Sequence, residues 1–156
     1  DRRERFLMRR GAALPVSLRR LLFTQYFLLA LILLQPSSLW ARDPEVLYMM
    51  ECQGCHLADG SGELNSIPTL HNNVAKFPAV PGGREYLVQV PGVASSSLSD
   101  QEIAAVLNWM LTKFGPAEWT TRYAQYTVEE VSTLRKHPLT ETDSRRAGLV
   151  LLMKKL

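Results

Sequence analysis

Hydrophobic and polar positions alternate in distinct regimes along this chain of 156 residues. The first regime is a continuous apolar run, Leu21 to Leu34, interrupted only by Thr24 and Gln25. After a polar break, Val46, Leu47 and Met50, with Tyr48 beside them, fall at helical spacing and predict a helix over Pro44 to Glu51. The most regular pattern comes later, where Ile103, Val106, Leu107, Met110 and Leu111 mark one helix face. Ser99 followed by Glu102 is a capping box that opens that helix, and Gly115-Pro116 stops it. Thr127-Val128-Glu129-Glu130 is a second capping box, starting a helix that ends near His137-Pro138. A further helix is expected from Thr142 to Lys155, and its apolar end is too short to span a bilayer. Between these elements, Ala58 to Gly62 turns the chain sharply, and Lys76 to Leu87 reads as loop, with a short helix over Arg84 to Val90. Trp119, Tyr123 and Tyr126 imply packing of the segment beyond residue 116 onto an apolar surface, of this chain or of a partner.

Charge changes how the apolar run is read. Of the 18 Lys and Arg residues, seven lie in residues 1–20: Arg2, Arg3, Arg5, Arg9, Arg10, Arg19 and Arg20. Only Asp1 and Glu4 oppose them there. A basic start, an apolar stretch and the polar Gln35 to Ser38 before Leu39-Trp40-Ala41 follow the order of a secretory signal peptide. The run falls short of the ~20 residues a spanning helix needs. Residues 1–41 are therefore expected to be a signal peptide cleaved after Ala41, with an uncleaved anchor as the alternative. The remainder keeps eleven basic against thirteen acidic residues, so the overall +3 belongs to the leader. No basic stripe interleaved with aromatics remains to bind nucleic acid.

The chemistry is concentrated in Cys52-Gln53-Gly54-Cys55-His56. C-x-x-C-H is the pattern of covalent c-type haem attachment. Two thiols add across the haem vinyl groups, and the adjacent imidazole ligates the iron. Two competing readings have structural demands. A thioredoxin-like pair needs a βαβ frame, and a zinc site needs two more ligands, for which only His71 and His137 remain. Both cysteines are consumed by haem, so no disulfide is expected.

Beyond the motif, residues 44–115 resemble the class I monohaem c-type cytochromes. Ile67-Pro68-Thr69-Leu70 matches the family's Pro-x-Leu segment, with Pro68 twelve residues after His56. The resemblance implies an all-α, cytochrome c-like helical domain around one covalently bound haem c, with a C-terminal helical extension over residues 116–156. It implies that Cys52 and Cys55 bind the haem, that His56 is the metal ligand, that the Pro68 carbonyl accepts from its Nδ1–H, and that Leu70 packs on the proximal face. It implies a first helix over roughly Pro44 to Cys55, with Tyr48 and Trp109 at the places where the family's first and last helices meet. The departure lies at the sixth iron position. Members usually present a Met before the last helix, whereas Val88-Gln89-Val90-Pro91-Gly92-Val93-Ala94 holds neither Met nor His, and Val90 stands at the expected place. Met110 is the leading protein ligand, and an open or water-bound site is its rival. Met49, Met50, His71, His137 and Met153 are each less well placed. Arg84 and Tyr86 are candidates for the haem propionates, with solvation of Arg84 the plain alternative.

The expected function is a periplasmic carrier of single electrons by Fe(III)/Fe(II) cycling. Its expected partners are a dehydrogenase and a terminal oxidase chain, or the other subunits of a redox complex. A membrane enters only if the leader is retained. The alternative is an open-site haem protein that binds peroxide, NO or CO as an enzyme or sensor.

Overall fold

The computed structural model describes residues 15–33, 42–119 and 122–156. The described residues fall into two compact units, one within residues 1–40 and one within 41–156. The first holds helix α1, Val16–Leu33. Along it Thr24 Oγ1 donates to the carbonyls of Arg20 and Leu21, the usual way a mid-helix threonine is accommodated. Among the described residues, no helix is long and apolar enough to cross a membrane. The arginine-rich start and the Ala41 junction lie outside the described residues.

The regular elements described in the second unit are all helices, joined by turns and loops, with an isolated β-bridge between Glu63 and Ile67. Helix α2 spans Pro44–Glu51; Asp43 caps it by accepting from the Glu45 amide, and Pro44 sits where a missing N–H costs nothing. Its buried side is Leu47 and Tyr48, while Val46, Met49 and Met50 are exposed. The expected continuous helix to Cys55 is instead broken at Cys52 (φ −118°), and α3 restarts as Gln53–His56. A 3₁₀ turn at Val74–Ala79 takes up part of the loop expected over Lys76 to Leu87, and α4, Gly83–Gln89, lies where the short helix over Arg84 to Val90 is expected. Phe77 stacks on Tyr86 at 5.1 Å and holds the two together. Gly83 permits this approach, because a Cβ there would strike the Phe77 carbonyl.

After the short α5, Pro91–Ala94, comes α6, Asp100–Phe114, the axis of the unit. Its capping box forms in both directions: the Glu102 amide donates to Ser99 Oγ, and the Ser99 amide donates to the Glu102 carboxylate. Ile103, Ala104, Val106, Leu107, Met110, Leu111 and Phe114 are buried. Each large apolar side chain so buried contributes ~1.5–3 kcal/mol, which is what makes short helices such as α2 stable here. Tyr48 meets Trp109 and Phe114, both at 5.2 Å between ring centroids, so α2 and α6 cross through an aromatic cluster.

Residues beyond 116 pack onto this same unit. Helix α7, Val128–Leu134, lies on α6, and α8, Thr142–Met153, lies against α4 and the 3₁₀ turn. Tyr126, Val131 and Leu149 are buried in the common core. The apolar surface covered by the aromatic segment therefore belongs to this chain. α7 ends at Leu134 rather than near His137, and its box is half formed. Thr127 Oγ1 accepts from the Glu130 amide, but the Glu130 carboxylate turns to Arg84 instead.

Candidate functional site

The site is built where α2 hands over to α3. Tyr48, buried on α2, donates its hydroxyl to the Leu57 carbonyl at 2.6 Å and so fixes the end of α3 nine residues on. Leu57 itself takes a left-handed φ of 61°, which bends the chain away directly after His56. The Gly62 amide then donates to the His56 carbonyl, and the Gly60 carbonyl accepts from the Leu70 amide at 2.8 Å. Gly60, at φ 74°, also makes room for Phe114: a Cβ there would lie 2.8 Å from the ring. The Cys52–His56 turn and the Pro68–Leu70 segment are thereby held side by side.

Three groups project from this frame. Cys52 and Cys55 are free thiols, the first half-buried and the second exposed. Burial pushes the Cys52 thiol up to about 11, with Glu51 and Cys55 adding to the effect, so it stays neutral near pH 7. His56 Nδ1 lies 3.2 Å from the Pro68 carbonyl. A carbonyl only accepts, so Nδ1 carries the proton and Nε2 keeps its lone pair. Burial lowers the His56 pKa and the Pro68 bond works against that shift, which favours a neutral imidazole. Beside Cys55 opens a cleft of about 420 Å³ lined by Gly54, Cys55, Leu57, Gly62, Glu63 and Ile67.

The donor set suits a covalent porphyrin. Two unpaired thiols three residues apart and one imidazole with a fixed tautomer are what such a group takes from the chain. The competing readings lose their frames. Among the described residues no three His, Cys, Asp or Glu side chains stand together as a metal site, and no βαβ unit is present. Leu70 is buried, two residues beyond the carbonyl that faces His56.

The propionate candidates have other partners. Arg84 does not stand free for a propionate. Its Nε and Nη2 donate to the two Glu130 oxygens at 2.8 and 2.7 Å, and Nη1 donates to the Ala124 carbonyl at 2.6 Å. Its guanidinium also lies 4.1 Å from the Tyr126 ring centroid. Tyr86 is buried against Phe77, which occupies its ring in packing. Met110, the favoured sixth ligand, is a core residue 6% exposed. His71 is exposed on the proximal segment, its ring 5.5 Å from that of Phe114.

Sequence reasoning missed Arg135. Its guanidinium donates to the carbonyls of Ala94, Ser96 and Leu98 and to Asp100, closing the link between α4 and α6. No local pattern marks that role, because its partners lie 35–41 positions earlier. It also missed the Tyr48 hydroxyl bond, since the ring alone explained the residue.

No family model matches the chain. Two curated proteins do, both cytochromes c-552 of Thermus thermophilus. One, from strain ATCC 27634, is 37% identical over 131 residues, covering 72% of this chain and 88% of the relative. The other is 39% identical over 108 residues, covering 58% of this chain and 82% of the relative. With this similarity and a helical unit built around C-x-x-C-H, the chain belongs to the monohaem c-type cytochromes, electron carriers with a covalent haem c.

Proposed function

We propose that haem c is held through thioethers to Cys52 and Cys55, with His56 as the proximal iron ligand, Pro68 as its hydrogen-bond acceptor and Leu70 as proximal packing. The observation that carries this reading is the 3.2 Å contact from His56 Nδ1 to the Pro68 carbonyl, which leaves Nε2 as the free donor. Bound haem supplies reversible one-electron Fe(III)/Fe(II) cycling. The chain's own part is positional. Tyr48 and Gly62 hold the far end of the ligand turn at the Leu57 and His56 carbonyls, and Pro68 fixes the imidazole and makes it more electron-rich.

The protein works as an exported, periplasmic carrier that accepts electrons from a dehydrogenase and passes them toward a terminal oxidase. Residues 42–115 form the cytochrome domain proper, and 116–156 extend it. The basic leader and its short apolar run support export, and the acidic balance of the remainder favours partners with basic docking surfaces. Pyridine haemochrome spectra test the attachment. Wild type should give the spectrum of two thioethers, Cys52→Ser that of one, and the double variant Cys52→Ser/Cys55→Ser should release haem into acidified organic solvent. Extractable haem from wild type would sink the reading. The mass of the protein recovered from a periplasmic fraction tests cleavage after Ala41.

A further inference from the structure

We propose that no side chain among the described residues fills the iron position opposite His56, and that this position takes a small neutral diatomic such as carbon monoxide or nitric oxide. The inference rests on His56 being the proximal ligand, and it follows from where the remaining donors are held. The chain has five Met and three His residues. Met8 precedes the apolar run, outside the described residues. Met49 and Met50 are 57% and 62% exposed on α2, the helix that leads into Cys52, so they belong to the proximal wall.

Met110 is tied to the same side. Phe114, one turn further along α6, packs on Tyr48 and His71, and its carbonyl accepts from the Asn72 amide at 2.9 Å. That bond fastens the end of α6 to the segment that carries Pro68. A thioether one turn away is buried in that packing and does not cross to the opposite face. His71 lies on the same segment. Met153 is partly buried against the core on α8, and His137 is exposed on a backbone fixed by the His137–Leu134 and Leu139–Gln89 hydrogen bonds.

The link from α4 to α6 closes the last route. Val90 to Ser99 contains no Met, His, Lys, Cys or Tyr. It has no slack in which to bring a neighbour across. The amides of Val93, Ala94, Ser95 and Ser96 bond to carbonyls within the link itself, and Arg135 clamps the carbonyls of Ala94, Ser96 and Leu98. A thioether at the sixth position raises the potential and shuts the iron to added ligands. Without one, ferrous iron is open to π-accepting diatomics.

The test is a titration of the dithionite-reduced holoprotein with carbon monoxide, read by the shift of the Soret band, after a pyridine haemochrome has confirmed covalent haem. Wild type should bind, and Met110→Leu, Met153→Leu and His137→Ala should bind equally well. The ferric protein should lack the near-infrared sulfur-to-iron charge-transfer band. Refusal of carbon monoxide by wild type, with binding gained in one of the three variants, overturns the inference and names the ligand. Refusal by all four proteins also overturns it. A failed haemochrome spectrum instead strikes the haem assignment itself, so the two failures are told apart before the titration begins.

Discussion

Arg84 shows how one guanidinium can be read correctly by type and wrongly by partner. Its fork suits a carboxylate, and a carboxylate is what it meets, but that carboxylate is Glu130. The Glu130 bond is the largest influence on the Arg84 guanidinium and raises its pKa. Arg84→Ala should therefore cost about 1–3 kcal/mol in chemical denaturation and leave the haem potential unchanged, whereas a propionate role would move the potential. Nothing local announces Glu130, which is 46 positions away. By contrast, the His56–Pro68 pair was legible from its twelve-residue offset alone, because a family pattern encodes it. Glu102 supplies a pH signature. The Arg42 side-chain bond first, then the Ser99 bonds, hold its carboxyl down to about 2 from an ordinary 4.5. A depressed carboxylate stabilises the fold above its unfolded value, and that contribution fades as pH falls from about 4.5 through 2. Glu102→Gln should flatten the acid side of a stability-against-pH curve over this window, as thermal melts would show.

Among the elements, those with local signals were readable. The apolar spacing and capping box of α6 gave its start and end, since both depend on residues within one or two turns. The break at Cys52 was not readable, because it comes from Tyr48 and Leu57 being bonded across it rather than from a breaker residue. The 3₁₀ turn at Val74–Ala79 was hidden for a related reason: Pro78 suggests a loop, and only Phe77 packing on Tyr86 makes the segment ordered. The α4–α6 link likewise depends on a residue from α7's C-terminus. Arg135→Ala should destabilise the unit by about 2–3 kcal/mol, because three carbonyls lose a donor together. Hydrogen exchange should then speed up at Ala94 to Ser97 before it does so in α6. Gly60→Ala tests the turn under α6: with φ at 74° and a Cβ 2.8 Å from Phe114, the melting temperature should fall.

At the scale of the molecule, the residues beyond 116 complete the core, so of the two surfaces open to them, this chain's or a partner's, they cover this chain's. Val131 and Leu149 are fully enclosed, and Tyr126 and Asn108 exchange two hydrogen bonds between them. A chain ending at residue 116 should lose cooperative unfolding, with a broadened calorimetric transition where residues 42–156 give one sharp peak. The all-α architecture was visible beforehand, but the way the tail docks depends on surfaces that exist only after α4 and α6 have folded. The two arginine clasps have a temporal consequence. Arg84–Glu130 and Arg135–Asp100 join positions 46 and 35 apart, and such closures form late because the entropy of ordering the intervening chain precedes any reward. The turn carrying the two thiols closes through local hydrogen bonds, Cys52 to Tyr48, His56 to Cys52 and the Tyr48 hydroxyl to Leu57. Newly made chains should thus shape the cysteine turn while the tail still hangs open, an order that would give attachment chemistry its access before the fold locks.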